Sequence, residues 1–206
     1  MSIEQSIKAQ FAKVFRTSDW RLFKKIAEAN LREAAALKKA NMPIESSLRL
    51  LARNARKRLL IGVGIELLLK AVYLKNGYCI NKPKVRSSLK FPFTEHATAG
   101  ATLAEDLTYE LNVLIQHLPE VTSLQNKVLT TKGLIIAKVF RNKEGHGVTA
   151  AHAFFASNYQ DIESSLVELY RDVFSERLSV HFSLGPKEKA VWRVSRPNKS
   201  LQPPPR

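Results

Sequence analysis

The longest stretch of this chain that can form one uninterrupted element lies between Pro43 and Gly77. Residues 44–75 contain no proline, and their apolar side chains recur at helical spacing. Asn76-Gly77 is a typical pair at the C-terminus of a helix. A helix of this length extends across a small domain and has to bury an apolar stripe against other helices. The other elements are therefore expected to pack around it.

Five further segments have apolar residues at helical spacing, and we predict helices at about residues 3–16, 19–40, 102–118, 121–143 and 158–178. Thr17-Ser18-Asp19 offers an N-cap for the second helix, and Thr102-x-x-Glu105 has the form of a capping box. Pro119 is expected to end the helix at 102–118. The predicted inward positions are Leu103, Leu107, Leu111, Leu114, Ile115, Leu118, Leu124, Val128, Leu134, Ile135, Val139, Phe140, Ile162, Leu166, Leu169, Tyr170 and Phe174.

No convincing strand alternation is found, and residues 77–100 are predicted as loop. The fold class predicted is all-α, an up-and-down helical bundle. Residues 1–43 are predicted as N-terminal helices that pack on a bundle of residues 44–184. Residues 185–206 contain several cations and the sequence Gln-Pro-Pro-Pro-Arg, and we predict a flexible basic tail there.

Charge is the strongest signal in the composition, because 33 Lys and Arg stand against 18 Asp and Glu, a formal net charge of +15. Such an excess favours polyanionic partners, above all nucleic acid. Cys79 is the only cysteine, the N-terminus has no apolar signal segment, and the apolar run Leu59–Leu69 is too short to span a bilayer. We therefore expect a soluble cytoplasmic protein that does not associate with membranes.

One segment, residues 140–147, combines the groups that phosphodiester chemistry uses. Arg141 and Asn142 come at the end of a predicted helix, and Gly145 and Gly147 flank His146. If the helix ends at Gly145, His146 can turn back toward Arg141. A guanidinium binds phosphate bidentately, an imidazole transfers a proton, and an amide orients either group. The alternative is a helix C-terminus where Arg and His only pair with the last carbonyls.

The sequence Arg141-Asn142-x-x-x-His146-Gly147 resembles the signature of the HEPN superfamily ("higher eukaryotes and prokaryotes nucleotide-binding"), helical bundles in which four to six residues separate Arg from His. Asn directly after Arg is typical of its RNA-cleaving toxins and defence effectors. The segment Gly64–Gly77 is also similar to the family's earlier helix, which often carries a carboxylate near the Arg/His pair; here this is Glu66. The resemblance covers about residues 45–180.

The resemblance implies a metal-independent endoribonuclease without cofactors, of the toxin or phage-defence type. The RNA 2′-hydroxyl attacks the adjacent phosphate and leaves a 2′,3′-cyclic phosphate. His146 would transfer the proton, Arg141 would stabilise the phosphate, and Asn142 would hold both. Such nucleases are usually homodimers with a composite active site, and an antitoxin or regulatory partner is typical. Val148 stands where one subgroup carries Tyr, so control by a nucleotidyltransferase is not expected.

Glu66 lies in an apolar run, where a carboxylate is costly without a partner. Our hypothesis is that Glu66 bonds Arg141 or His146. The alternative is a pair with Lys70, four residues later on a solvated edge of the helix.

Cationic side chains supply candidate RNA contacts. Arg49, Arg53 and Arg56 share one helical face and can follow a phosphate backbone, or simply form a solvated face. Lys70 and Lys143 are further candidates. Lys82, Lys84, Arg86 and Lys90, beside Phe91 and Phe93, resemble a groove for single strands, although the phenylalanines can equally pack under a loop.

Other kinds of site have weak support. The five histidines are scattered without metal-ligand spacing, so no metal site is predicted. Gly62-Val-Gly64 lacks the third glycine and the preceding strand of a dinucleotide loop. Two functional alternatives stay open: a bundle that binds RNA or nucleotide without cutting it, and a regulatory or assembly subunit.

Overall fold

The computed structural model describes residues 2–3, 5–6, 19–37, 47–84, 89–94, 103–145, 156–182 and 192–196. These ranges are mostly helical, which confirms the all-α prediction in its coarse form, with two small sheets in addition. In chain order the elements are α1 (Trp20–Ala36), α2 (Ser47–Lys75), β1 (Asn81–Pro83), β2 (Leu103–Thr108), α3 (Leu111–Val121), α4 (Lys127–Gly145), α5 (Ala156–Leu169, continued by a π-helical turn at Tyr170–Phe174), β3 (Arg177–Val180) and β4 (Trp192–Ser195).

The predicted long helix is present as α2, and it forms the centre of the core. Its buried residues include Ile61, Ile65 and Leu68. The helix ends at Lys75, and Gly77 follows with a φ of 79°, a left-handed conformation that glycine adopts without strain. The predicted end of the helix is confirmed. Of the predicted helix at 3–16, only residues 3, 5 and 6 are described, and all three are helical.

α1 packs against α2 where the longer helix has a glycine. A Cβ on Gly64 would lie 2.8 Å from the Leu31 side chain and 3.2 Å from the Ala27 carbonyl oxygen. The missing side chain at Gly64 therefore lets the two helices approach closely. The predicted N-cap of α1 is also present, since Asp19 Oδ1 accepts a hydrogen bond of 3.1 Å from the backbone N–H of Arg21.

A group of four polar side chains, here called the Lys24 cluster, joins α1 to the end of α5: Lys24, Glu28, Tyr170 and Glu176. Lys24 Nζ lies 3.0 Å from Glu28 and 2.6 Å from Glu176, and the Tyr170 hydroxyl donates to Glu28 at 3.0 Å. The Lys24 ammonium also lies 5.3 Å from the centre of the Tyr170 ring. Burial, together with the Glu28 carboxylate, raises the pKa of Tyr170 above its usual range.

The prediction of a helix beginning near Thr102 is wrong. Residues Leu103–Thr108 form β2, which pairs antiparallel with β1 (Asn81 opposite Thr108, Pro83 opposite Leu103). The apparent capping box fits helical spacing locally, but pairing with a strand about twenty residues earlier decides the conformation. Leu107 is accordingly 56% exposed, although it was predicted to be buried.

The helix itself begins at Leu111, where the predicted core positions Leu111, Leu114, Ile115 and Leu118 are buried. Pro119 lies inside α3, which continues to Val121, instead of ending it. The predicted loop at 77–100 contains β1 and an antiparallel bridge between Tyr78 and Thr94.

α4 begins at Lys127, later than the predicted position near Val121, because Asn126 caps it: Asn126 Oδ1 accepts from Leu129 N–H at 3.0 Å. Its rotation about its own axis is set by Gly133, which lies so close to α5 that a Cβ would contact Ser165 and the Asp161 carbonyl. Consequently Leu134 and Phe140 are buried as predicted, whereas Val128 is 78% and Ile135 47% exposed, against the prediction.

The predicted helix over about 158–178 ends earlier, in the π-helical turn at Tyr170–Phe174 followed by Ser175 at a φ of 53°. Residues 177–180 form β3, and β4 pairs with it from Arg177 opposite Ser195 to Val180 opposite Trp192. The prediction of a flexible tail from residue 185 is therefore wrong for residues 192–195. The Trp192 ring lies 6.2 Å from that of Tyr170 and 6.5 Å from that of Phe182, which fastens β4 to the core.

Candidate functional site

The candidate site lies where α2 and α4 pack closely against each other, at Gly62 and Arg141. A Cβ on Gly62 would lie 2.5 Å from the Cβ of Arg141 and 2.9 Å from its Cα. At the other end of the same two helices, Lys75 and Lys127 line one groove, so the helices are antiparallel. Gly62 therefore has a packing role: it brings the backbone of Arg141 directly onto α2.

Three charged side chains meet at this crossing, and we call them the Arg141 cluster: Glu66, Lys70 and Arg141. Glu66 Oε2 lies 2.5 Å from Arg141 Nε, and Glu66 Oε1 accepts a hydrogen bond of 3.0 Å from Lys70 Nζ. The Glu66 and Lys70 side chains are 13% and 8% exposed, whereas that of Arg141 is 40% exposed. The carboxylate thus bridges one buried cation and one that reaches solvent.

The geometry follows from the direction of helical side chains, which lean toward the N-terminus of their helix. Arg141 leans back along α4, and in an antiparallel pair this brings it from the level of Gly62 to that of Glu66, one turn further along α2. Lys70 leans back by one turn to the same carboxylate, in the favourable order with Glu before Lys. The predicted contacts of Glu66 with Arg141 and with Lys70 are therefore both present, but the pair with Lys70 is largely buried, so the predicted solvated edge is wrong.

The other predicted site residues differ in exposure, and one of them is not described. Asn142 is exposed on α4, next to Arg141, and Lys143 is half-buried in the last turn of the same helix. His146 lies outside the described residues, which end at residue 145 in this part of the chain. Lys70, predicted to contact RNA, is buried and donates to Glu66.

The predicted basic stripe on α2 is only partly exposed to solvent. Arg49 is exposed and Arg53 is half-buried. Arg56 is exposed and forms an ion pair with Glu33 of α1. This partner belongs to another helix, so the spacing of charges within α2 did not reveal it.

Two neighbouring cations that sequence reasoning did not select are buried. Lys57 donates to the carbonyl of Phe182 and lies 4.7 Å from the centre of the Tyr159 ring. Arg58 is 5% exposed. It stands four residues before Gly62, and Gly62 four before Glu66, so these positions follow one face of α2. That spacing was the only signal in the sequence that could have found Arg58.

The aromatic residues of the predicted single-strand groove pack against one another. Phe93 is buried, and the ring of Phe91 lies 5.2 Å from that of Tyr73 and 4.0 Å from that of Tyr109. Lys82 forms an ion pair of 3.3 Å with Glu110. The packing alternative is therefore what the structure has for these phenylalanines, and Arg86 lies outside the described residues.

The described ranges offer neither a metal site nor a membrane-spanning helix. No group of three or more His, Cys, Asp or Glu lies in a position to hold a metal ion, and no helix in these ranges is both long and apolar enough to cross a membrane. A groove of about 840 Å³ lies at the far end of α2 and α4, where Lys75, Lys127 and Asp172 are among its lining residues. It is separate from the Arg141 cluster.

Comparison with known proteins adds no relative. The sequence matches no protein family model, and neither the curated proteins nor the solved structures contain a significant match.

Proposed function

We propose that this chain is a metal-independent endoribonuclease with a HEPN-like helical bundle, acting as a toxin or phage-defence effector. The observation that supports it most is the Arg141 cluster: the Arg141 guanidinium is 40% exposed, lies directly before Asn142, and contacts at Nε a Glu66 carboxylate that is only 13% exposed. A guanidinium oriented in advance can stabilise the charge that develops on a phosphate in the transition state. The net charge of +15 supports a polyanionic substrate.

In the proposed reaction the RNA 2′-hydroxyl attacks the adjacent phosphorus, and the bond from phosphorus to the 5′-oxygen breaks. The products are a 2′,3′-cyclic phosphate and a 5′-hydroxyl. His146 transfers the proton between the two oxygens, and Arg141 binds the non-bridging phosphate oxygens. Asn142 orients these groups. The chemistry needs no metal and no cofactor, since the nucleophile belongs to the substrate.

The proposal includes a homodimer in which the Arg141 and His146 residues of two copies form a composite site, with an antitoxin or regulatory partner as the restraint on activity. It places the protein in the cytoplasm, where RNA is available. Arg49, Arg53, Arg56 and Lys143 are proposed to contact the RNA backbone outside the reacting phosphate.

The test is cleavage of total RNA in EDTA by the wild type, Arg141→Ala and His146→Ala, with the RNA ends mapped. Removing one charge-stabilising group typically costs about 100-fold or more in rate. We expect losses of that order for both variants, with 2′,3′-cyclic phosphate ends from the wild type alone. Far-UV circular dichroism checks that the helices persist.

Arg171→Ala is the matched control, because the Arg171 side chain is 44% exposed and is also ion-paired, to Glu168 and Asp172. Its cleavage rate should equal that of the wild type. Cleavage that survives in both Arg141→Ala and His146→Ala would refute the nuclease proposal. Salt-dependent binding with intact RNA recovered would instead indicate a binding module.

A further inference from the structure

We infer that Lys70 is a positioning residue of the Arg141 cluster, which keeps the Arg141 guanidinium available to a phosphate. This rests on the proposed function, because it assigns a role in RNA binding to a lysine that does not itself reach the RNA. Lys70 is buried, and its ammonium donates to Glu66 at 3.0 Å. It acts on the substrate only through that carboxylate.

The Glu66 carboxylate is divided between two cations. One carboxylate oxygen accepts from Lys70 and the other lies against Arg141 Nε. A carboxylate free of Lys70 can instead engage a guanidinium with both oxygens, which is the stronger, bidentate geometry. Lys70 thus prevents Glu66 from occupying two donors of Arg141.

The contact with Glu66 also decides which nitrogen atoms of Arg141 can donate to a phosphate. The contact with Glu66 is made at Nε, and the terminal nitrogens Nη1 and Nη2 lie beyond it, at the end of a side chain that is 40% exposed. These two donors match the spacing of two phosphate oxygens. A phosphate can therefore bind end-on while the ion pair that orients Arg141 stays intact.

The net charge of the Arg141 cluster also depends on Lys70. Two cations and one carboxylate leave the Arg141 cluster at a net charge of +1, in a region where two of the three side chains are largely buried. Lys70 neutralises Glu66, which leaves the charge of Arg141 available to an anion; without Lys70, the carboxylate neutralises Arg141 instead.

The experiment measures binding of a fluorescent single-stranded RNA that is 2′-O-methylated throughout, which prevents attack by the 2′-hydroxyl. Wild type, Lys70→Met, Glu66→Gln and the double variant Lys70→Met/Glu66→Gln form a cycle, measured over a range of salt concentrations. We expect Lys70→Met to weaken binding by roughly tenfold, the order of one charge-assisted contact. The slope of log K against log salt should fall by about 0.7, as for one lost contact to single-stranded phosphate.

In the Glu66→Gln background the same Lys70→Met substitution should change affinity by less than about twofold, because Lys70 acts through the carboxylate. Lys70→Arg should retain the affinity and slope of the wild type. A role in stability alone would produce neither the recovery in the double variant nor the change in slope. If Lys70→Met does not fold, Lys70→Gln removes the same charge and still donates to Glu66.

Lys24→Met is the matched control, since Lys24 is also largely buried and paired to a glutamate four residues later. Its folded form should bind the RNA as the wild type does. Equal weakening by Lys70→Met with and without Glu66, or no weakening at all, would overturn the inference. These results are distinct from failure of the nuclease proposal, which is tested by cleavage of ordinary RNA: a chain that binds as expected but never cuts loses only the latter.

Discussion

The Arg141 cluster and the Lys24 cluster contain similar side chains but differ in the ratio of cations to carboxylates. Each contains a largely buried lysine bonded to a glutamate four residues away, and each joins two helices. In the Lys24 cluster one ammonium contacts two carboxylates. The Tyr170 hydroxyl donates to Glu28, and the Tyr170 ring lies beside the ammonium. In the Arg141 cluster one carboxylate meets two cations, and one of these is partly exposed.

This difference is the one expected if the Lys24 cluster only joins helices and the Arg141 cluster, as we propose, also binds a phosphate. Both involve the cost of removing charges from water, which is recovered only when the partners are well placed. In the Lys24 cluster each of the four polar side chains has a partner within the cluster. In the Arg141 cluster the charges sum to +1, and the partly exposed Arg141 is the group that we propose to bind an RNA phosphate.

Among variants that test the difference between the two clusters, Lys24→Met is expected to have the largest effect on stability. The substitution leaves Glu28 and Glu176 without their common cation, and breaking a buried ion pair from one side costs about 4 kcal/mol. We expect the free energy of unfolding, measured by urea denaturation, to fall by that amount. RNA cleavage by the folded protein should not change. A large loss of activity at full helical content would show that the two clusters are coupled.

Gly62→Ala should come next, with about 3 kcal/mol of destabilisation, because its Cβ would meet the Arg141 main chain, which cannot move aside locally. It should also lower RNA cleavage by the folded protein, since Arg141 is displaced from Glu66. Gly64→Ala is the comparison: its Cβ meets chiefly the Leu31 side chain, so we expect about 1 kcal/mol and normal cleavage. Equal cleavage by the two variants would contradict the positioning role of Gly62.

Tyr170→Phe removes the hydrogen bond to Glu28 and should cost about 2 kcal/mol at neutral pH. It should also change the response to alkali. The folded pKa of Tyr170 is raised, so its contribution is complete below the unfolded value of about 10 and is lost as the pH rises above it. Denaturation curves from pH 8 to 11 should decline less steeply in the variant, by at most about 1.4 kcal/mol per pH unit. Identical slopes would argue against the buried phenol.

The smallest effect is expected at Asp19, the exposed cap of α1. Its hydrogen bonds to Arg21 hold the pKa of Asp19 below its usual 3.8, so its contribution is present above that pH and is lost as the pH falls further. In Asp19→Asn, which still caps the helix, the acid transition should shift less than in Asp19→Ala. Thermal melts between pH 2 and 5 check both, and a shift as large as that of Lys24→Met would contradict the ranking.

Local signals in the sequence predicted a good part of the fold. The end of α2, the N-cap Asp19 and the left-handed Gly77 follow from residues within one or two turns. The π-helical turn after α5 and both sheets were missed. β1 pairs with β2 and β3 with β4 over distances along the chain at which local spacing carries no information. The same limit turned residues 103–108 into a predicted helix.

The candidate site divides in the same way. The sequence pointed to Arg141 and Glu66 as partners, and the contact between them is present. It did not predict that Lys70 is buried or that Arg56 pairs with Glu33, because both depend on which helix packs beside α2. The sequence also did not predict the packing role of Gly62, because a glycine inside a helix can be assigned such a role only when the neighbouring backbone is known.

By itself, the amino-acid sequence determined a helical protein with a strong positive charge, one long central helix and an Arg141 motif at the end of another. These properties depend on residue type and short-range spacing, which do not require knowledge of neighbours. Tertiary structure alone decided that α2 and α4 touch at Gly62, and that Glu66 is shared between Lys70 and Arg141. Contacts between distant segments depend on the relative placement and rotation of whole helices, which no local pattern encodes.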